Sequence, residues 1–182
     1  TKLASPVGVA GAPDGRIFVL DSQLRKVFIL DDKGNVKGEL EGDPEGMGRP
    51  AALAASGKRI YVSDAKKHRV SVYGIDGTFL QAFGRRGSKP GEFNFPTYVW
   101  FDQKTDRLWV TDSGNFRLQW FTPDGRFGGS IGENGNHPGY LARPRGLAVD
   151  SDGHVFVSDA AFEAVQVFDD KGKLLLFVGR AG

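Results

Sequence analysis

The sequence predicts an all-β fold, specifically a β-propeller in which four blades are each a four-stranded antiparallel sheet. The first observation behind this prediction is a segment of about 45 residues that recurs four times within the 182-residue chain. The second is the content of 26 glycines, about twice the usual share, which indicates many tight turns. The third is that 14 Phe, 4 Tyr and 3 Trp fall in short apolar runs without the helical period of about 3.6 residues.

Each repeat opens with a proline and later contains an apolar segment that ends in an aspartate. The prolines are Pro6, Pro50, Pro96 and Pro144. The aspartates are Asp21, Asp64, Asp112 and Asp159, which lie 43, 48 and 47 residues apart. Because both features recur with one spacing, each repeat is predicted to fold as the same supersecondary unit.

Four strands are predicted in each unit. The first follows the proline, and a tight turn such as Asp14-Gly15 leads to the second. A loop that begins at the aspartate leads to the third strand, and a second glycine turn leads to the fourth. The second strands are apolar at adjacent positions, so both sheet faces should be covered, as in a propeller blade. The predicted blades span about residues 6–40, 50–84, 96–132 and 144–179 of one propeller region, 1–182.

Two stretches and the linkers between units carry a family resemblance. The run from Pro144 to Asp150 reads PRGLAVD, and the run from Asp112 to Phe121 reads DSGNFRLQWF. With linkers such as residues 84–96, they resemble the NHL repeat over essentially the whole chain. The resemblance implies a propeller of six blades, so we expect this chain to be a four-blade part of a larger ring. The alternatives are a closed four-bladed propeller and a ring that a second chain completes.

The two ends of the sequence match parts of the linkers. Residues 3–6 match the end of a linker, and residues 178–182 match the beginning of one. The sequence is therefore expected to be cut inside a linker at both ends.

The recurring aspartates and two arginines are interpreted as structural residues. Each carboxylate is expected to accept hydrogen bonds from amides of its own loop, with Arg69 or Arg117 as a partner. The alternative is a functional ring of carboxylates on one rim. Repetition in every unit favours the structural interpretation, because a catalytic site normally breaks the symmetry of a repeat.

The composition excludes several kinds of chemistry. The absence of cysteine rules out disulfides, thiolate metal ligands and cysteine nucleophiles. The formal charge of +2 argues against a general nucleic-acid binder, and no apolar run reaches the ~20 residues of a membrane span. His68, His137 and His154 lack the spacing of a metal site, and residues 150–153 are interpreted as a turn rather than a calcium loop. No catalytic residue, metal or cofactor is predicted.

The strand order places the linkers and the aspartate-led loops on one side, here called the linker face. The glycine turns lie on the opposite side, here called the turn face. A set of cations in the second unit and its following linker, here called the basic rim, lies on the linker face close to Phe116. The basic rim consists of Lys66, Lys67, Arg85, Arg86 and Lys89, and Arg69 adds a sixth permanent charge beside it, with His68 and Phe93 close by. It could hold single-stranded RNA or an acidic partner, or it could simply be solvated.

Two apolar residues occupy matching loop positions, Leu24 in the first unit and Phe162 in the fourth. Exposed apolar side chains at a loop tip indicate contact with another protein. The alternative for Phe162 is that its ring folds back over its own blade or an adjacent one.

The predicted function is a non-catalytic scaffold that binds a protein partner through the linker face. The resemblance favours an extracytoplasmic bacterial protein. Two alternatives remain: a metal-dependent lyase or hydrolase similar to the NHL-like lyases, and a single-stranded RNA binder that uses the basic rim.

Overall fold

The structure is a computed structural model that describes residues 2–179. Residues 180–182, part of the expected cut linker, lie outside the described residues. The strands are, in chain order, β1 (Pro6–Gly11), β2 (Ile17–Asp21), β3 (Lys26–Leu30), β4 (Val36–Glu39), β5 (Pro50–Ala55), β6 (Arg59–Asp64), β7 (Arg69–Gly74), β8 (Phe79–Phe83), β9 (Pro96–Asp102), β10 (Arg107–Asp112), β11 (Arg117–Phe121), β12 (Phe127–Ile131), β13 (Pro144–Val149), β14 (Val155–Asp159), β15 (Ala164–Phe168) and β16 (Leu174–Gly179).

Each group of four consecutive strands forms one antiparallel sheet in simple sequential order, and these sheets are blades 1 to 4. This confirms the prediction of an all-β chain with four four-stranded blades. In each blade the opening proline pairs with the closing aspartate of the second strand, as Pro50 does with Asp64, and a register shift separates this pair from the rest of the ladder. A single turn of 3-10 helix covers Ser113–Asn115. Within residues 2–179 no helix has the length and apolar character needed to cross a membrane.

Alternation of side chains along the strands explains how the blades pack. In β6, Ile60 and Val62 face blade 1, where they join Phe18 and Leu20 in one apolar cluster. The intervening Tyr61 faces blade 3, and its ring stacks on Phe101 with centroids 5.4 Å apart. Both faces of the sheet are therefore buried, which accounts for the adjacent apolar residues of the second strands.

Three apolar clusters join blade 1 to blade 2, blade 2 to blade 3, and blade 3 to blade 4. In the described part of the chain, no comparable packing joins blade 4 to blade 1. As a result, Val9 of blade 1 is 68% exposed, whereas Leu53, at the matching position of blade 2, is 7% exposed. On the far side of blade 4, Val165 is 38% exposed, although the matching Val70 is fully buried. The outer faces of the two end blades are thus apolar and open.

Candidate functional site

Buried aspartates fasten the linkers to the loops on the linker face. The Asp21 carboxylate accepts hydrogen bonds from the amides of Ala4 and Ser5 at 2.6 and 2.9 Å, which lie before the first strand. It also accepts from the amides of Gln23 and Leu24 in its own loop, at 3.0 and 2.9 Å. One side chain therefore holds two backbone segments together.

Asp64 and Asp159 repeat this arrangement in blades 2 and 4. The Asp64 carboxylate accepts from the Arg49 amide at 3.0 Å and from the Lys67 amide at 2.9 Å. The Asp159 carboxylate accepts from the Arg143 amide at 3.0 Å and from the Ala161 amide at 2.9 Å. The sequence indicated the bonds within each loop but not the bonds to the preceding linker.

Asp112 of blade 3 uses side chains where the other aspartates use loop amides. It accepts from the Asn94 amide at 2.6 Å, from Asn115 Nδ2 at 2.8 Å and from Arg117 Nε at 2.9 Å. Gln119 Nε2 donates to it as well, at 3.1 Å. Burial raises the pKa of Asp112 above its ordinary value, and the bonds from Asn115, Asn94 and Arg117 act in the opposite direction. The predicted partnership of Arg117 with its aspartate is present in the structure.

Arg69 differs from Arg117 in its partner. Its guanidinium forms ion pairs with Asp43 at 2.7 Å and with Glu45 at 3.0 Å, and not with Asp64, the partner expected from the sequence. The reason is the acidic linker between blades 1 and 2, which reaches over β7. Asp64 has its oxygens occupied by backbone amides and needs no cation.

The middle of the third strand in blades 2, 3 and 4 supplies a second linker anchor that sequence reasoning missed. Gln119 Oε1 accepts from the Gly91 amide at 2.9 Å, and Gln166 Oε1 accepts from the Gly139 amide at 2.7 Å. Ser71 has the corresponding role in blade 2, where its hydroxyl donates to Asp43 at 3.1 Å. All three side chains are buried. A single polar residue within an otherwise apolar strand is the sequence feature that could have indicated this anchor.

The aspartate-led loops share a backbone feature that the sequence does not reveal. The residue four positions after each aspartate has a positive φ of 50–56°, although none of the four is glycine. These residues are Arg25, His68, Phe116 and Glu163. The four loops therefore share a backbone bend while presenting four different side chains on the linker face.

The amide bonds to Asp21 give the protein a testable pH dependence. Burial alone would raise the pKa of Asp21, but the amides of Leu24, Ser5, Ala4 and Gln23 outweigh it and lower the pKa below its ordinary value. A carboxyl with a lowered folded-state pKa stabilises the fold above its unfolded pKa and loses that contribution as the pH falls through the folded value.

We therefore expect Asp21→Asn to be less stable than the wild type at neutral pH. The difference should shrink as the pH falls below about 4, because the carboxyl of the unfolded chain then binds a proton before the folded one does. Urea unfolding at several pH values measures it, with the exposed Asp32→Asn of the same blade as control. A stability difference that stays constant down to pH 2 would contradict this account.

The basic rim is partly neutralised by acidic neighbours. Lys67 pairs with Glu45 at 3.4 Å, and Arg85 pairs with Glu92 at 2.9 Å. Lys66, Arg86 and Lys89 are exposed, and none of them forms an ion pair within residues 2–179. The five predicted cations therefore lie on the linker face, but only three present an uncompensated charge.

The predicted apolar contact residues differ in exposure. Leu24 is 41% exposed at its loop tip. Phe162 is half-buried, and its ring packs edge-on against Phe177 of β16 with centroids 6.2 Å apart. Phe116 is also half-buried. Of the three, Leu24 offers the most accessible apolar surface.

One group on the turn face has the composition of a metal site. Ligand atoms of Asp150, Asp152 and His154 lie within 4.8 Å of one another. Asp150, however, accepts hydrogen bonds from the amides of Asp152 and His154 and contacts His154 Nδ1 at 2.9 Å. Asp31 and Asp169 accept the corresponding amide bonds in other turns, so this geometry belongs to the repeated turn.

Comparisons with known proteins agree with this architecture. A family model described as a 6-bladed beta-propeller matches residues 45–115, and a model of the NHL repeat matches residues 141–168. A search of the curated proteins found no match.

Three solved structures show the same fold at low identity. Hydrazine synthase from Kuenenia stuttgartiensis aligns with a TM-score of 0.76 at 20% identity, over 99% of this chain and 50% of that chain. A chain of a nidogen/laminin complex aligns with a TM-score of 0.76 at 20% identity, over 99% of this chain and 65% of that chain. Virginiamycin B lyase from Staphylococcus aureus aligns with a TM-score of 0.73 at 13% identity, over 94% of this chain and 54% of that chain.

The chain thus spans between about half and two thirds of the length of these structures. Four four-stranded blades built on the proline and aspartate repeat give this chain a β-propeller fold, and it is similar to NHL-repeat propellers over residues 141–168.

Proposed function

We propose that the protein is a non-catalytic scaffold that binds a protein partner through its linker face. The observation that carries this proposal is that buried side chains of that face hold the backbone, whereas its exposed side chains are free to contact a partner. Asp21, Asp64, Asp112 and Asp159 are buried and used to hold the loops, so the backbone there is rigid. The exposed side chains vary from blade to blade, which is the arrangement of a binding surface built on a fixed frame.

The proposed contact residues are exposed residues of the linker face. Each of them is either apolar or carries an uncompensated charge. The largest contributions to binding are expected from Leu24 and from the unpaired cations Lys66, Arg86 and Lys89. Lys67 and Arg85 contribute once the partner displaces their acidic neighbours. Phe116 and Phe162 are half-buried and would contribute only at the edge of the interface. A propeller chain in a nidogen/laminin complex supports the use of this fold in protein recognition. We further propose an extracytoplasmic bacterial setting for the scaffold, on the ground of the resemblance of its linkers to those of NHL proteins.

The two other functions have weaker support. A lyase would need convergent polar groups free to act on a substrate, whereas the aspartates of the linker face are occupied by amides and side chains. Single-stranded RNA would need a continuous cationic track with several stacking aromatics, whereas two cations of the basic rim are paired with acids.

The exposed outer faces of blades 1 and 4 support a further part of the proposal. Val9 and Val165 occupy positions that are buried between neighbouring blades elsewhere. We propose that residues 1–182 form one propeller region whose ring is completed by further blades or by a second chain. Light scattering of this chain in solution distinguishes these two alternatives. Completion of the ring by a second copy of the chain would double the measured mass, whereas completion by further blades of the same protein would leave this chain monomeric.

Leu24→Asp tests the role of the linker face. We expect this change to reduce capture of a partner from a native extract by at least about tenfold, because a charge replaces an apolar contact at the interface. Val36→Asp is the matched control, since Val36 lies in the same blade beside a glycine turn and is 42% exposed, against 41% for Leu24. Equal loss of capture in both variants, or in neither, would contradict the proposal.

A further inference from the structure

Phe95 has an unusual backbone conformation for its residue type. It precedes Pro96, where sterics favour an extended conformation, yet its φ is +54°. Ser5, Arg49 and Arg143 hold the matching positions of the other repeats and have no positive φ. Phe95 is also 44% exposed. A bulky residue at positive φ is a genuine outlier, and such strain persists only where the surroundings enforce it.

Contacts from blade 2 hold Phe95 in this conformation. The Phe95 amide donates to His68 Nδ1 at 3.2 Å, and the two rings pack with centroids 5.0 Å apart. The Arg49 guanidinium lies 6.0 Å from the centre of the Phe95 ring, within the range of a cation–π contact. The Asn94 amide, one residue earlier, is fixed by Asp112. An exposed ring is therefore fixed between an imidazole and a guanidinium.

The charge around this ring is positive. Arg49 is exposed and has no ion pair within the described residues, and Lys66 is exposed in the same loop as His68. The nearby acids are already engaged, because Asp64 accepts from backbone amides and Asp43 pairs with Arg69. Glu45 is shared between Lys67 and Arg69. An anionic group that approaches Phe95 would meet cations rather than free carboxylates.

We propose that Phe95, Arg49 and His68 form a receptor for an acidic peptide segment, in which an apolar side chain lies next to a carboxylate. The apolar side chain would pack on the exposed Phe95 ring. The carboxylate would take the planar donor pair of Arg49, a geometry that suits bidentate binding. This inference rests on the proposed function, because it assigns the partner chemistry of part of the linker face.

A peptide fits this site better than single-stranded RNA. Sequence-tolerant RNA binding uses several aromatic platforms along a cationic groove, whereas a single ring is presented here. A single aromatic anchor beside one arginine is typical of a hot spot in a protein interface. Preferential binding of RNA would therefore contradict the proposal.

A two-dimensional NMR titration of the 15N-labelled chain tests the proposal. The probes are the peptide acetyl-Gly-Glu-Leu-Glu-Gly-amide, its analogue with both Glu replaced by Gln, and a ten-residue oligouridine. The acidic peptide should shift the amide signals around Phe95, Arg49 and His68 and bind at least about fivefold more tightly than the Gln analogue.

Two variants and two controls locate the binding site. Phe95→Asn should weaken acidic-peptide binding at least about fivefold while still tolerating a positive φ, and Arg49→Gln should do the same. Tyr140→Asn and Arg145→Gln are the controls, since both are exposed on neighbouring parts of the chain and neither contacts Phe95. Unchanged melting temperatures show that the variants are folded.

Each outcome has a defined consequence. Loss of binding in Phe95→Asn and Arg49→Gln with retention in both controls supports the receptor. Equal binding of the Glu and Gln peptides, equal loss in the controls, or preferential binding of oligouridine overturns it. If Leu24→Asp abolishes partner capture while Phe95→Asn leaves acidic-peptide binding unchanged, this inference fails and the proposed function stands.

Discussion

Replacing Asp112 with alanine should lower the free energy of unfolding by about 3–5 kcal/mol, the range for breaking a buried ion pair by removing one partner. The Asp112 side chain is fully buried and receives donors from Asn94, Asn115, Arg117 and Gln119. Without the carboxylate, several polar groups and one guanidinium lose a partner in a site that water enters poorly. The loss also releases the linker from the loop that follows β10.

Urea unfolding followed by tryptophan fluorescence and circular dichroism measures this change. Asp124→Ala is the matched control, because Asp124 lies in a glycine turn of the same blade with its side chain 47% exposed. Its ion pair with Arg126 is solvent-exposed, so its loss should cost less than about 1 kcal/mol. A cost for Asp112→Ala as small as that of the control would show that the carboxylate does not hold the linker.

Asp112→Asn separates geometry from charge at the same position. The amide keeps one acceptor oxygen but turns a donor group toward Asn115 or Arg117. We expect a loss of stability intermediate between wild type and alanine, because some donors keep a partner.

The repeat made the architecture predictable. Pro50 and Asp64 mark the start of the first strand and the end of the second, and in the structure they pair with each other across the two strands. Adjacent apolar residues such as Ile60 and Tyr61 predicted sheets covered on both faces, and the structure confirms this. These features follow from local alternation and from matching spacing, which a sequence displays directly.

The partners of the charged residues were less predictable. Arg69 and Arg117 occupy matching positions, but one pairs with Asp43 and the other with Asp112. The difference arises from the linker before each blade, whose path depends on packing between blades rather than on local sequence. Charge alone could not show that Lys67 and Arg85 are paired within the chain.

The backbone of the linker face was not predictable from residue types. Arg25, His68, Phe116 and Glu163 adopt positive φ where glycine or asparagine would be expected. Hydrogen bonds that the aspartates accept from loop and linker groups hold the same backbone bend with four different residues. The conformation of Phe95 was not predictable for the same reason, because it depends on a contact with His68 in another blade.

The second large effect is expected at Phe93, which anchors the linker between blades 2 and 3. Its ring is fully buried, with the rings of Phe83 and Phe121 at centroid distances of 6.3 and 5.4 Å. It lies directly beneath Gly84, where φ is +90° and a Cβ atom would come within 2.4 Å of the ring. Phe93→Ala should therefore cost about 3–5 kcal/mol, because it leaves a cavity between two blades.

A series of substitutions that remove progressively less buried apolar volume provides the control for this prediction. Leu141 holds the matching place in the next linker, beneath Gly132, so Phe93→Leu should cost clearly less than Phe93→Ala. Phe127→Ala removes a ring that contacts Phe121 from the outside and is 39% exposed, and it should cost less still. Thermal and urea unfolding measure the three variants, and equal costs for Phe93→Ala and Phe127→Ala would contradict the proposed anchor.

Hydrogen exchange shows whether the loss at Phe93 reaches the binding face. The Phe93 amide donates to the Arg85 carbonyl at 2.8 Å, and the Gly87 amide donates to the Phe93 carbonyl at 3.0 Å. When the ring no longer fixes this segment, the amides of Phe93 and Gly87 should lose protection before the strands of blade 3 do. Because the same linker carries Arg86 and leads into Phe95, Phe93→Ala should also weaken acidic-peptide binding without altering any residue that contacts the peptide.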